Sequence, residues 1–314
     1  MMMSRLHTPS RRRVVAALAL GAALALAPAA ARADTVEVAH ARGTTAIEAA
    51  PEKVFVFDLP ALDTLDALGV KVSGVPSGVK PAYLETYNSG DYLKIGSLFE
   101  PDFEEIAAAA PDLIISGERM AEQYGELSRI APTIEMKTDY TDFLASAERT
   151  NRTLASVFGK QADADAMIAR FEASASAVKA KAEHAGKALI ILTTGGRISA
   201  YGPGSRFGII HTDFGIRPAA PDLEVATHGQ AISYEFILKT DPDYLFVIDR
   251  DAAIGRSGKS AQALLDNDLV NQTKAARSGR IVYLQADAWY LSGTGLTALQ
   301  TMVDELAAAL DRSE

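Results

Sequence analysis

The sequence predicts an α/β protein of two lobes joined by a single long α-helix. Apolar strand runs alternate with helical segments from Val54 onward. The alternation stops after Asp139, where an Ala-, Glu- and Lys-rich stretch with helical spacing takes over, and it resumes at Lys187. The first lobe opens with "VFVFD" at 54–58, a continuous apolar run of the kind buried on both faces in a parallel sheet. "ALDTLDALG" follows as a helix closed by Gly69, then the strand "VSGVP", and "DLIIS" at 112–116 is a further strand. In "QADADAMIARFEASASAVKAKAEHAG", Met167, Ile168, Phe171 and Val178 recur at helical spacing and Gly186 supplies the stop, so this is the joining helix. "KALIILTTGG", "YLFVID" and "RIVYLQ" are the strands of the second lobe, and "TALQTMVDELAAALD" is its closing helix.

An internal echo supports two related lobes. "FEEIAAAAPDLII" from Phe103 and "YEFILKTDPDYLF" from Tyr234 share an aromatic residue, Glu, a variable residue, Ile, four residues and Pro-Asp. Glu104 and Glu235 therefore hold matching places at two helix starts, where the helix dipole favours a carboxylate.

Residues 1–33 are expected to be removed. Arg5 and Arg11 to Arg13 precede the apolar run "VVAALALGAALALAP", and "ARA" at 31–33 fits a small-x-small cleavage site, the layout of a signal peptide. "SRRRVV" also allows the twin-arginine route. The organisation expected is then 34–140 as the N-terminal lobe, 141–186 as the linking region with its long helix, and 187–314 as the C-terminal lobe. With no cysteine there is neither disulfide nor a lipid-bearing cysteine, and the periplasm is the expected location. The chain carries 31 basic and 40 acidic residues, a net charge of −9. The leader takes five of the arginines and no acid, so the remainder is more acidic still and nucleic acid is not an expected partner.

Several charged and phenolic residues follow or border predicted strand ends, where open α/β folds bind ligands. These are Arg119 in "SGERMAEQ", Arg197 and Arg206 in "GGRISAYGPGSRFG", His228, Arg250 in "VIDRDAAIG" and Tyr290 in "DAWYLSGTG". Arginines converging on one cleft suit a multiply anionic ligand, because guanidinium stays charged and offers forked donors. Taken singly, each is equally readable as a solvated surface residue, His228 as a structural group and Tyr290 as packing beside Trp289. An imidazole and a phenolate also suit ferric iron. Two donors cannot fill an octahedral shell, but they complete one around a ligand that supplies four.

Over most of the chain the sequence resembles the substrate-binding proteins of ABC importers, in the subgroup that binds ferric catecholate siderophores. The resemblance is carried by "PEKVFVFDLPALDTLDALGV", "PDLIISGERM", "YGPGSRFGIIHTDFG", "THGQAISYEFILKTDPDYLFVIDR" and "WYLSGTG". It implies two Rossmann-like lobes around a ligand cleft, with the joining helix limiting closure. It further implies that Arg119, Arg206 and Arg250 hold the anionic catecholates, that His228 and Tyr290 ligate the iron of tetradentate complexes, and that Glu104 and Glu235 dock on the permease dimer in the inner membrane. A monomer without intrinsic cofactor and without catalysis is expected, its cargo a ferric siderophore. The alternatives are a haem or corrinoid binder of the same fold, and an exported nucleotide-using enzyme in which "GPGSRFG" cradles phosphate.

Overall fold

A computed structural model describes residues 35–48, 50–226 and 228–311. The expected leader lies outside the described residues. Among the described residues no helix is long and apolar enough to cross a membrane.

The chain enters through a hairpin that the sequence reading did not predict, β1 (Thr35–His40) and β2 (Gly43–Glu48). Its Val38 and Ile47 are buried in the N-terminal core. The N-terminal sheet is built from β3 (Val54–Val56), β4 (Gly74–Val75), β5 (Leu93–Lys94), β6 (Leu113–Gly117) and β7 (Thr133–Met136). Their order is β5-β4-β3-β6-β7 and every pairing is parallel. The C-terminal sheet uses β8 (Lys187–Thr194), β9 (Arg197–Tyr201), β10 (Arg217–Pro218), β11 (Gln230–Ile232), β12 (Tyr244–Asp249) and β13 (Ile281–Tyr283), in the order β11-β9-β8-β12-β13 with β10 beside β8. Here β8, β12 and β13 are parallel, but β9 runs against them and pairs antiparallel with both β8 and β11. The departure comes from "TTGGR": Gly195 and Gly196 take φ of 55° and 77°, and this two-residue turn of positive φ folds β9 straight back on β8.

Five helices frame the two sheets. They are α1 (Leu59–Ala67), α2 (Phe103–Ala109), α3 (Phe143–Val157), α4 (Gln161–Ala182) and α5 (Tyr234–Thr240). The joining helix is α4, as the sequence predicts. Its Ala164 and Ile168 pack with Leu68 of the N-terminal lobe, while Phe171, Ala175 and Val178 enter the C-terminal core. It does not act alone, because α3 runs back beside it, with Leu154 and Val157 in the N-terminal core and Phe143 and Ala147 in the other.

The echo in sequence is an echo in structure. Helices α2 and α5 each have seven residues, and each ends on a non-glycine residue in the left-handed region, Ala110 at φ 48° and Asp241 at φ 43°. In each unit the aspartate after the proline accepts a backbone N–H from the edge of a neighbouring strand. Asp112 accepts from Lys53 at 2.7 Å, and Asp243 from Lys187 at 2.8 Å.

Candidate functional site

The site gathers at the carboxyl ends of the parallel strands. Arg119 follows the end of β6 by two residues, in the short turn Glu118–Met120. Arg250 follows β12 directly and opens α6 (Arg250–Ala253). The two arginines are as far apart in the chain as Glu104 and Glu235, so they are equivalents within the repeat, one from each lobe. Asp249 caps α6 by accepting the N–H of Ala252 at 3.1 Å, which fixes where the Arg250 side chain leaves the sheet.

Tyr290 is the meeting point. It lies on α7 (Ala286–Leu291), and its hydroxyl accepts Arg250 Nε–H at 2.7 Å. Arg206 donates from Nη2 to the Tyr290 carbonyl at 2.5 Å and lies 4.4 Å from the ring centroid, while the Arg250 guanidinium lies 5.4 Å from it. Arg250 is held in turn by Thr194, whose hydroxyl accepts from its Nη1 at 3.3 Å and donates to Asp251. The Arg206 loop is tight: Ser205 Oγ donates to Gly202 O at 2.6 Å, and a Cβ at Gly208 would stand 2.8 Å from Gly202 O and Gly204 N. Close backbone approach thus explains Gly208 of "GPGSRFG", and a φ of 74° explains Gly204; the loop they shape carries Arg206 over the phenol.

Electrostatics follow from this gathering. Burial pushes the Tyr290 phenol up, but the Arg250 hydrogen bond and the charges of Arg206, Arg250 and Arg119 outweigh it, and the net shift is downward. Burial raises Tyr201 against the pull of Arg206 and Arg250. On the N-terminal side, burial lifts the Asp58 carboxyl to about 6, against the Ala61 N–H and the charge of Arg119. Burial likewise raises Tyr140 and Glu118, both of which feel Arg206 and Arg119.

The structure therefore brings together Arg119, Arg206, Arg250 and Tyr290. His228 is exposed and, among the described residues, forms no hydrogen bond, ion pair or ring contact. It is nonetheless anchored nearby: a Cβ at the next residue, Gly229, would stand 2.8 Å from the ring of Tyr201. Arg197 is exposed at the β8–β9 turn and has no part in the bonds around Tyr290. Glu104 and Glu235 are exposed at the starts of α2 and α5. Sequence reasoning missed Asp58, Glu118, Tyr140 and Tyr201. For Arg119 and Arg250 a further signal was available, since the repeat extends through both.

Two α/β lobes with guanidinium groups from both gathered at the strand ends define a two-lobed solute-binding protein. The chain belongs to the family described as periplasmic binding protein, whose model matches residues 56–288, and it is a binding protein and not an enzyme. It is 43% identical over 265 residues to the petrobactin-binding protein YclQ of Bacillus subtilis, covering 83% of each chain. The crystal structure of YclQ superposes with a TM-score of 0.85, covering 88% of this chain and 99% of that one. The ferric-anguibactin-binding protein FatB of Vibrio anguillarum is 33% identical over 277 residues, 86% of each chain. The periplasmic catecholate-siderophore binding protein VctP of Vibrio cholerae is 35% identical, with a TM-score of 0.83 over 88% of this chain and 100% of that one.

Proposed function

We propose that the protein captures ferric catecholate siderophores in the periplasm and delivers them to an ABC importer for iron uptake. The observation that carries this is the convergence of Arg119, Arg206 and Arg250 around the Tyr290 phenol. Three fixed positive charges suit a ligand with several negative ones, and the relatives that bind petrobactin, anguibactin and catecholate siderophores support the ligand class. The arginines balance the catecholate charge. Tyr290 and His228 are the donors that complete the iron shell of a tetradentate complex, with the phenol favoured toward its ionised form by its arginine neighbours. His228, exposed two residues before β11, swings over the cleft to reach the iron. Glu104 and Glu235 are the docking carboxylates, one per lobe, matched to the two halves of a permease dimer.

The test is fluorescence titration. Trp289, the only tryptophan, adjoins Tyr290, so a ferric catecholate complex is expected to quench its emission strongly. Nucleotides and haem are expected to leave it unchanged, and quenching by haem alone would overturn the reading.

A further inference from the structure

The cleft tyrosine sits on a segment shared by the two lobes. Trp289 is buried in the C-terminal core with Phe246 and Met302, whereas Leu291 is buried in the N-terminal core with Leu62 and Leu84. Tyr290, between them, packs against both. Ser292 comes next, fully buried, its hydroxyl 2.7 Å from that of Tyr83. Tyr83 donates to Asp63 Oδ2 at 2.6 Å. Asp63 also accepts the N–H of Thr297 at 2.7 Å and of Ala298 at 3.0 Å, capping α8 (Leu296–Asp311) from the other lobe. A Cβ at Gly295 would stand 2.4 Å from the Asp63 carboxyl carbon, so the loop closes directly on this carboxylate. Asp63 is 0% exposed and forms no ion pair among the described residues. A buried carboxylate without a cation is costly, and here three donors offset the cost.

We propose that Asp63, through Tyr83 and Ser292, is a positioning residue of the cleft. It fastens the shared segment so that the Tyr290 phenol stays in register with Arg206 and Arg250, and it thereby sets affinity for the ligand. The second half of this statement rests on the proposed siderophore-binding role; the first does not, and the two are separable by experiment.

The register is read in ligand-free protein from solvent exchange of the Arg250 Nε–H, which is bonded to the Tyr290 hydroxyl. Its NMR signal is assigned with Tyr290→Phe, which removes the acceptor. Asp63→Asn and Tyr83→Phe are each expected to speed that exchange about tenfold, as for a bond weakened by roughly 1.4 kcal/mol. Tyr83→Phe removes a single hydroxyl and leaves the helix cap in place, so it decides the matter if Asp63→Asn does not fold. Exchange unchanged in the folded variants overturns the proposal. The affinity arm is a double-mutant cycle with the ferric complex of catechol. Asp63→Asn is expected to weaken binding in the natural background and to add no loss in Tyr290→Phe. Additive losses would mean that Asp63 acts on the fold at large, and the proposal falls. Should Tyr290→Phe alone bind as tightly as the natural protein, the donor role of Tyr290 fails while the exchange measurement still judges the positioning.

Discussion

A guanidinium group that holds a catecholate does so with charge and with fork geometry together. Arg119→Ala, Arg206→Ala and Arg250→Ala are each expected to weaken ferric catecholate binding by about 1.5–3 kcal/mol, and lysine to recover only part of it. Isothermal titration of the six variants measures both effects. Donor counting gives a second expectation. A bis-catecholate supplies four oxygens and leaves two positions on octahedral iron, whereas a tris-catecholate leaves none. Tyr290→Phe and His228→Ala should therefore harm the first ligand far more than the second, with loss of the phenolate charge-transfer band only in the tyrosine variant. Equal harm to both ligands would show that neither side chain reaches the iron. The arginines and Tyr290 were legible because strand ends in α/β folds present the residue that follows them. Asp58, Glu118, Tyr140 and Asp63 were not, since their partners come from distant chain; Asp63 meets Thr297 across 234 residues, inside a helix whose pattern looks ordinary.

Helices here end and begin in ways that have measurable costs. Ala110 closes α2 at φ 48°, a conformation that costs a side-chain-bearing residue about 1 kcal/mol and glycine nearly nothing. Ala110→Gly is thus expected to stabilise the fold by about 0.5–1 kcal/mol in urea unfolding. Asp241, its counterpart, would gain nothing, because its carboxylate accepts the Lys274 N–H at 2.8 Å. At the cap of α8, burial lifts the Asp63 carboxyl to about 6, against the Tyr83 hydrogen bond and the Thr297 and Ala298 N–H groups. Between the ordinary carboxylate value and 6 the folded protein therefore holds a proton that the unfolded chain has released. Stability from this group is fully present below that window and falls as pH rises through it, by about 3 kcal/mol. Unfolding curves from pH 4 to pH 7 should show Asp63→Asn with a flatter descent over that range than the natural protein. The parallel strands and the joining helix were read correctly from apolar runs and spacing. The reversed strand β9 was not, although the paired glycines at 195–196 are the turn that makes it.

The proposed function separates delivery from capture and assigns the exposed glutamates to delivery alone. Glu104→Ala with Glu235→Ala is expected to leave ferric catecholate affinity unchanged and to lower iron uptake by cells; retained uptake would reduce both to helix-start residues. The carboxylate between Tyr83 and α8 has one more consequence, which concerns the order in which the chain is made. The first helix of the N-terminal lobe, α1, ends beside Leu68, which is covered by Leu296, and it carries the Asp63 that caps α8. The N-terminal lobe thus lacks part of its wall until the last helix has been synthesised. The early chain cannot settle into its native packing ahead of the late one, and the two lobes complete their packing together.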